Sequence, residues 1–320
     1  MPFLDMPIAE LRAYRPAADV PSDLSTFWDE TLAEAAAFPL DPSFEPVEAR
    51  LGTLDVYDVT FTGYGGQRVR GWLRVPARRD GPLPCVVQYI GYGGGRGLAH
   101  EYLLWGAAGY AHFVMDTRGQ GSQSTAGDTG DPVFSGPAHP GFMTRGILDP
   151  AEYYYRRLYV DAIRAVDAAR AHVAVDGRVA VVGGSQGGGV TLAVASLRDD
   201  ITAAMPDVPF LCQFPRGVAI ADRGPYQEIA TYLRVHRAEV ERAFRTLSYF
   251  DNVNLARNAT APALFSVALQ DAVCPASTVY AAYNAYAGDK EIREYPFNDH
   301  EGGEGFHQAE QLMWLADRMV

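Results

Sequence analysis

The run Val179-Ala180-Val181-Val182-Gly183-Gly184-Ser185-Gln186-Gly187-Gly188-Gly189 restricts the possible folds of this chain more than any other segment. Residues 179–182 are all apolar and read as a short strand buried on both faces. Beyond the glycines, Val190, Leu192, Ala193, Val194 and Ala195 supply the apolar face of a helix. Between them, Gly183-Gly184-Ser185-Gln186-Gly187 matches the G-x-S-x-G elbow, a sharp strand-to-helix turn that exposes a serine. Glycine is needed on either side because a Cβ there would strike the neighbouring backbone. Strand, elbow and helix follow in the order the motif demands. Ser185 therefore reads as a nucleophile, and a glycine-rich turn with an incidental serine is the weaker alternative.

The remaining chain alternates in the way such an elbow requires. Leu24, Phe27, Trp28, Thr31 and Leu32 recur at helical spacing and predict a helix in an amino-terminal arm, residues 1–50, ahead of a proline-marked loop from Pro39 to Pro46. Strands 56–62 and 68–75 flank Gly63-Tyr64-Gly65-Gly66, the signal of an antiparallel hairpin at a sheet edge. Further strands are expected at 85–90, 112–115, 201–208, 263–269 and 291–297, with helices at 157–171 and 305–319. Repeated strand-helix-strand units predict an α/β fold, a mostly parallel sheet with helices on both faces and chemistry at the carboxyl ends of its strands. We read residues 1–320 as a single domain with two excursions. Residues 125–150 are rich in Gly, Pro and Asp, and residues 216–257 carry a helical segment, 226–246, with Ile229, Leu233, Val240, Phe244 and Leu247. The second would sit over the strand ends as a cap, against a structural or oligomeric role as the competing reading.

A serine nucleophile needs a base and an acid to orient it, which follow it along the chain in an α/β-hydrolase. His300 lies directly after the last predicted strand, where its imidazole can swing over the serine. His307, the alternative base, falls in the first turn of the final helix, where a half-exposed structural side chain is expected. For the acid, Asp271 ends the predicted strand before that of His300, in a loop broken by Cys274-Pro275. Asp299 is adjacent to the histidine and would point away from it, and Asp116 precedes the serine and reads as a turn residue. The oxyanion donors are expected to be the backbone N–H of Gln186, directly after the nucleophile, and that of Tyr92 in the glycine-rich loop Gly91-Tyr92-Gly93-Gly94-Gly95.

Composition narrows the partners. A net charge of −12 with no basic cluster argues against nucleic acid. No apolar run approaches the ~18 residues that a membrane span needs. The amino terminus has neither a basic n-region nor an apolar h-region, so a cleaved secretory signal is not expected and the Asn258-Ala259-Thr260 sequon carries no weight. The three cysteines, Cys85, Cys212 and Cys274, have no metal-ligand spacing and read as reduced thiols in a cytoplasmic protein. No metal or cofactor is expected.

Gly91-Tyr92-Gly93-Gly94-Gly95-Arg96, Arg118-Gly119-Gln120, the elbow through Gly188, Asp271 with Cys274-Pro275-Ala276-Ser277-Thr278, and His300-Glu301 together resemble the acetyl xylan esterase and cephalosporin C deacetylase group, carbohydrate esterase family 7, of the α/β-hydrolase superfamily. The resemblance extends through the amino-terminal arm and its Asp23-Leu24, Phe27-Trp28 pattern. It implies that Ser185, Asp271 and His300 form a triad with Tyr92 and Gln186 as oxyanion donors. It also implies deacetylation of small acetylated sugars and cephalosporin-type acetate esters, in the cytoplasm, by a homo-oligomer of ring-shaped hexamer type. The oxyanion loop reads Ile90-Gly91-Tyr92-Gly93-Gly94 where the family usually has His-Gly-Tyr-Asn-Gly. A general short-chain carboxylesterase with a different small ester is therefore the alternative. Tyr92, Phe210, Phe214 and Tyr226 are the side chains expected to wall an acyl pocket closed to long chains.

Overall fold

Small apolar side chains alternating with period two build the centre of the sheet. In strands β4 (Leu83–Tyr89) and β6 (Val175–Gly184), Cys85, Val87, Val179 and Val181 enter one apolar cluster, while Val86, Ala180 and Val182 enter another. Both faces are thus covered, as a parallel sheet requires. The computed structural model describes residues 5–17, 19–132 and 140–319.

The other strands are β1 (Ser43–Val47), β2 (Leu54–Thr62), β3 (Arg68–Pro76), β5 (Ala111–Met115), β7 (Ala203–Asp207), β8 (Ala263–Ala268) and β9 (Lys290–Tyr295). They lie in the order β1-β2-β3-β5-β4-β6-β7-β8-β9. The pairs β1/β2, β2/β3 and β3/β5 are antiparallel and the rest are parallel. Helices are α1 (Ile8–Ala13), α2 (Leu24–Ala36), α3 (Leu104–Ala107), α4 (Tyr154–Arg170), α5 (Gln186–Leu197), α6 (Phe214–Ile220), α7 (Tyr226–Val235), α8 (Val240–Ser248), α9 (Asn252–Leu255), α10 (Ala276–Ala285) and α11 (Glu304–Ala316). The first face packs on α2, α4 and α5, and the second on Trp105 of α3 and Trp314 and Leu315 of α11. This is the α/β-hydrolase arrangement. No helix among the described residues is long and apolar enough to cross a membrane.

Two expectations need correction. The β2/β3 hairpin is not at the sheet edge, because Ser43–Val47 of the amino-terminal arm adds β1 outside it, in register Phe44 to Val59. Pro46 hid this strand: proline is tolerated in a strand only where its missing N–H faces no neighbour, and an edge strand meets that condition. The helical run 226–246 is two helices, since the backbone leaves helical geometry at His236 (φ −95°, ψ 60°). The break turns the apolar stripe so that Ala243, Thr246 and Leu247 of α8 are buried, whereas Val235 is left exposed. In the arm, Leu24, Trp28 and Thr31 of α2 are buried, and the Trp28 indole N–H donates to Tyr249 O at 3.0 Å. Of the excursion 125–150, residues 133–139 lie outside the described residues.

Candidate active site

The elbow is strained where the motif says it should be. Ser185 adopts φ 56°, ψ −118°, a conformation that side chains rarely take. Its backbone is pinned from both sides: the N–H donates to Asp207 O at 3.0 Å, and the carbonyl accepts from Gly189 N at 3.0 Å and Phe210 N at 2.9 Å. Two glycines make this approach possible. A Cβ on Gly187 would lie 2.2 Å from Tyr89 O, and one on Gly183 would lie 2.5 Å from the carbonyl carbon of Gly187. The end of β4 and the first turn of α5 are therefore packed backbone to backbone.

Strand ends bring the expected polar side chains to this point. His300 Nε2 is 2.8 Å from Ser185 Oγ, and His300 Nδ1 is 2.8 Å from Asp271 Oδ2. Asp271 is buried, and its other oxygen accepts from Val273 N and Cys274 N, both at 2.8 Å. These two N–H groups hold the carboxylate still while the imidazole uses its free face. The histidine loop is tied in turn by Asp299, whose Oδ1 accepts from His300 N at 2.8 Å and Ala272 N at 3.0 Å and whose Oδ2 pairs with Arg223. Cys274 lies against this group, with its donor atom and those of Asp271 and His300 within 4.8 Å of one another. Burial pushes its thiol well above the ordinary range, and both imidazole nitrogens are already hydrogen-bonded, so the set reads as a triad beside an inert thiol.

Gln186 opens α5, so its N–H is one of the unpaired donors at a helix start. Neither this N–H nor that of Tyr92 meets an acceptor among the described residues. The side chain of Gln186 is buried and braces the opposite loop: Nε2 donates to Ile90 O at 3.1 Å, and Oε1 accepts from Tyr155 Oη at 3.0 Å. It also exchanges reciprocal amide bonds with Gln120, at 2.9 and 3.2 Å. Gln120 Oε1 then accepts from Gly93 N at 2.7 Å. A paired-amide bridge thus joins the elbow helix to the glycine-rich loop. The preceding Arg118 makes a buried two-point contact with Asp161, at 2.6 and 2.8 Å.

The structure brings Ser185, His300, Asp271, Tyr92 and Gln186 together, and places other candidates elsewhere. His307 is not half-exposed but 1% exposed, because α11 starts beneath the histidine loop and turns its ring inward to Tyr295 Oη at 3.0 Å. Asp116 is buried and accepts from the N–H groups of Arg96, Thr117 and Asp128, which makes it a loop anchor. Phe210, Phe214 and Tyr226 are fully buried and offer no surface to a ligand. Tyr226 is drawn inward because its hydroxyl bonds the backbone of Cys212, donating to O at 2.7 Å and accepting from N at 3.2 Å. Of the four aromatics only Tyr92 is half-buried. Glu228, which accepts from the Tyr92 hydroxyl at 2.7 and 2.8 Å, was not foreseen: a lone glutamate on a surface-patterned helix carries no local signal.

A strained serine elbow at the end of a central parallel strand, with helices on both faces, defines a hydrolase of the α/β-hydrolase class. The chain matches the family described as acetyl xylan esterase (AXE1) over residues 1–318 and belongs to that family, carbohydrate esterase family 7. An acetyl xylan esterase from Paenibacillus sp. R4 superimposes with a TM-score of 0.92 at 40% identity, over 98% of this chain and 100% of that one. Acetyl xylan esterase 1 from Thermoanaerobacterium sp. JW/SL YS485 gives 0.88 at 33% identity, over 97% and 98%. The acetyl esterase Axe7A of Xylanibacter ruminicola is 27% identical over 308 residues, which are 94% of this chain and 68% of that protein.

Proposed function

We propose that this esterase removes acetyl groups from small acetylated carbohydrates, such as acetylated xylose and xylo-oligosaccharides, and from cephalosporin C-like acetate esters. The observation that carries the mechanism is the unbroken line Ser185 Oγ, His300, Asp271, with 2.8 Å at each contact. His300 Nε2 takes the Ser185 proton as Oγ attacks the acetyl carbonyl, and the oxygen that gains charge is held by the N–H groups of Tyr92 and Gln186. The imidazolium returns that proton to the departing sugar oxygen, leaving Ser185 acetylated. Water, deprotonated by the same imidazole, then attacks the acetyl-enzyme, and the imidazolium returns that proton to Ser185 Oγ as acetate leaves. Asp271 keeps the Nδ1 proton in place throughout and stabilises the imidazolium.

Support for a small acyl group is the match to the acetyl xylan esterase family over residues 1–318. Of the aromatics expected to wall the acyl pocket, Tyr92 alone keeps surface for a ligand, and its ring meets Phe210, whose N–H bonds Ser185 O, edge to face at 6.4 Å. The proposal also includes a cytoplasmic location, supported by three buried, unpaired cysteines, and assembly into a homo-oligomer of hexamer type. Exposed Phe297 and Phe306 support association, and the hexamer rests on the family resemblance.

The test is a hydrolysis panel of p-nitrophenyl esters from acetate to octanoate beside acetylated xylose and cephalosporin C, run on the wild type, Ser185→Ala and His300→Ala. Each methylene that finds no pocket forfeits ~0.8 kcal/mol of burial, so kcat/KM should be greatest for acetyl and lowest for octanoyl esters. A maximum at hexanoate or longer would discard the deacetylase reading. Each variant should lose at least ~1,000-fold in kcat, and retention of a hundredth of wild-type activity by either would remove that residue from the mechanism.

A further inference from the structure

We propose that Glu228 is a positioning residue for this reaction: from the 216–257 excursion its carboxylate grips the Tyr92 phenol and so sets the orientation of the Tyr92 N–H toward the oxyanion. The inference rests on the role given above to that N–H. It concerns a residue 136 positions away in sequence.

The oxyanion loop is soft by composition. Tyr92 stands between Gly91 and Gly93, the latter at φ +81°, and glycine restrains neighbouring peptide planes least of all residues. The backbone of the loop is anchored at Ile90 O by Gln186 Nε2 at 3.1 Å, at Gly91 O, the carbonyl of the peptide that bears the Tyr92 N–H, by Gly94 N at 3.1 Å, and beyond Tyr92 by Gly93 N to Gln120 Oε1 at 2.7 Å and Gly95 N to Thr125 O at 3.0 Å. The bond on Gly91 O comes from within the same glycine-rich turn, so it fixes that peptide only relative to the loop itself. The Tyr92 side chain adds the restraint that ties this peptide to the 216–257 excursion. Its hydroxyl donates to the Glu228 carboxylate, 2.7 and 2.8 Å from the two oxygens, and accepts from Phe142 N at 2.6 Å. A hydrogen bond to a charged acceptor is about twice as strong as a neutral one.

Glu228 gathers more than the phenol. Its Oε2 also accepts from Met143 N at 3.2 Å, so one carboxylate joins α7, the turn at 141–143 and the oxyanion loop. That turn is built against it: Gly141 lies at φ +129°, and a Cβ there would sit 2.1 Å from Glu228 Oε2. The Tyr92 phenol is held well above its ordinary range, first by burial and then by the Glu228 charge, which keeps it a donor. Movement of the ring would also be felt at the nucleophile, because it packs on Phe210, whose N–H holds Ser185 O.

A residue that orients an oxyanion donor acts in the transition state, so its loss should appear in kcat and not in KM. We would compare Glu228→Ala, Glu228→Gln, Tyr92→Phe and the Glu228→Ala/Tyr92→Phe double variant on p-nitrophenyl acetate, with melting temperatures in parallel. Glu228→Ala should lower kcat by roughly 10- to 100-fold, less than outright loss of an oxyanion donor, with KM within about twofold. Glu228→Gln, which keeps one acceptor oxygen, should fall between Glu228→Ala and wild type. The double variant should be no slower than the slower single variant, because both remove the same contact. A kcat for Glu228→Ala within about twofold of wild type, a loss confined to KM, or losses that multiply in the double variant would each overturn the proposal. If Glu228→Ala does not fold, Glu228→Gln and Tyr92→Phe are judged by the same kcat and KM criteria. Ser185→Ala in the same series separates the two levels: an active Ser185→Ala variant sinks the mechanism, whereas an inactive one beside a normal Glu228→Ala variant sinks only this inference.

Discussion

Gly187→Ala and Gly184→Ala add the same methyl group three residues apart and should have opposite consequences. On Gly187 the new Cβ would sit 2.2 Å from Tyr89 O and 2.8 Å from Tyr89 C. Both atoms are backbone of β4, which is hydrogen-bonded into the sheet on either side, so no side chain can swing away. Ordinary van der Waals contact begins near 3.4 Å, so α5 and β4 must part by about 1 Å. Overpacking of this kind costs ~1–3 kcal/mol, and a misplacement of ~1 Å at reacting groups costs ~100-fold in rate. On Gly184 the Cβ would meet only Asp207 Oδ2, at 3.7 Å. That substitution should leave stability unchanged or raise it by up to ~1 kcal/mol through the less flexible unfolded chain. Urea unfolding gives the stabilities, and p-nitrophenyl acetate turnover with fluorophosphonate labelling of Ser185 reports the elbow. If Gly187→Ala were as stable and as readily labelled as Gly184→Ala, the close approach of α5 to β4 would not be what the elbow depends on.

Acid stability should depend on His112, which is wholly buried in β5; burial first, and Arg74 second, depress its pKa from 6.5 to about 3. Below pH 6.5 the unfolded chain takes up a proton that the folded chain refuses, so this group's contribution to stability is complete above that pH and is lost as pH falls, by ~1.4 kcal/mol per unit and ~2 kcal/mol by pH 5. Urea midpoints of His112→Gln should fall less steeply with acid than those of the wild type, and parallel slopes would refute this. Asp161→Ala should destabilise by ~3–5 kcal/mol, because it strands the Arg118 charge at a site where both side chains are 0% exposed. It also orphans Tyr64 N, which donates to Asp161 at 2.8 Å. A loss under ~1 kcal/mol in denaturant titration would mean that Asp131, 3.4 Å from Arg118, takes over the pairing.

Much of the site was legible in the chain because its rules are local. Four apolar residues before G-x-S-x-G specify a buried strand and a turn that only glycines permit, and the observed φ of 56° at Ser185 is that turn. Asp271 and His300 could be chosen because each directly follows a strand, and strand ends in a parallel sheet meet along one edge. Where the reading slipped, a local rule met a tertiary exception. Pro46 forbids an interior strand and allows an edge one, and which applied depended on a neighbour that the sequence does not identify. His307 carries a polar side chain at a helix start and is nevertheless buried, because Tyr295 Oη waits for it at 3.0 Å.

The sequence by itself determined the class of fold and singled out Ser185, Asp271 and His300, which the structure joins in line by contacts of 2.8 Å, since backbone sterics and strand periodicity act over a few residues at a time. Only the tertiary structure decided how the glycine-rich loop at 91–95 is held. The Gln120–Gln186 amide pair, the Tyr92–Glu228 contact and the Arg118–Asp161 pair join residues 66, 136 and 43 positions apart. Such pairs follow no period and need no particular spacing. They form because a polar group taken out of water must find a partner in whatever the folded chain places beside it.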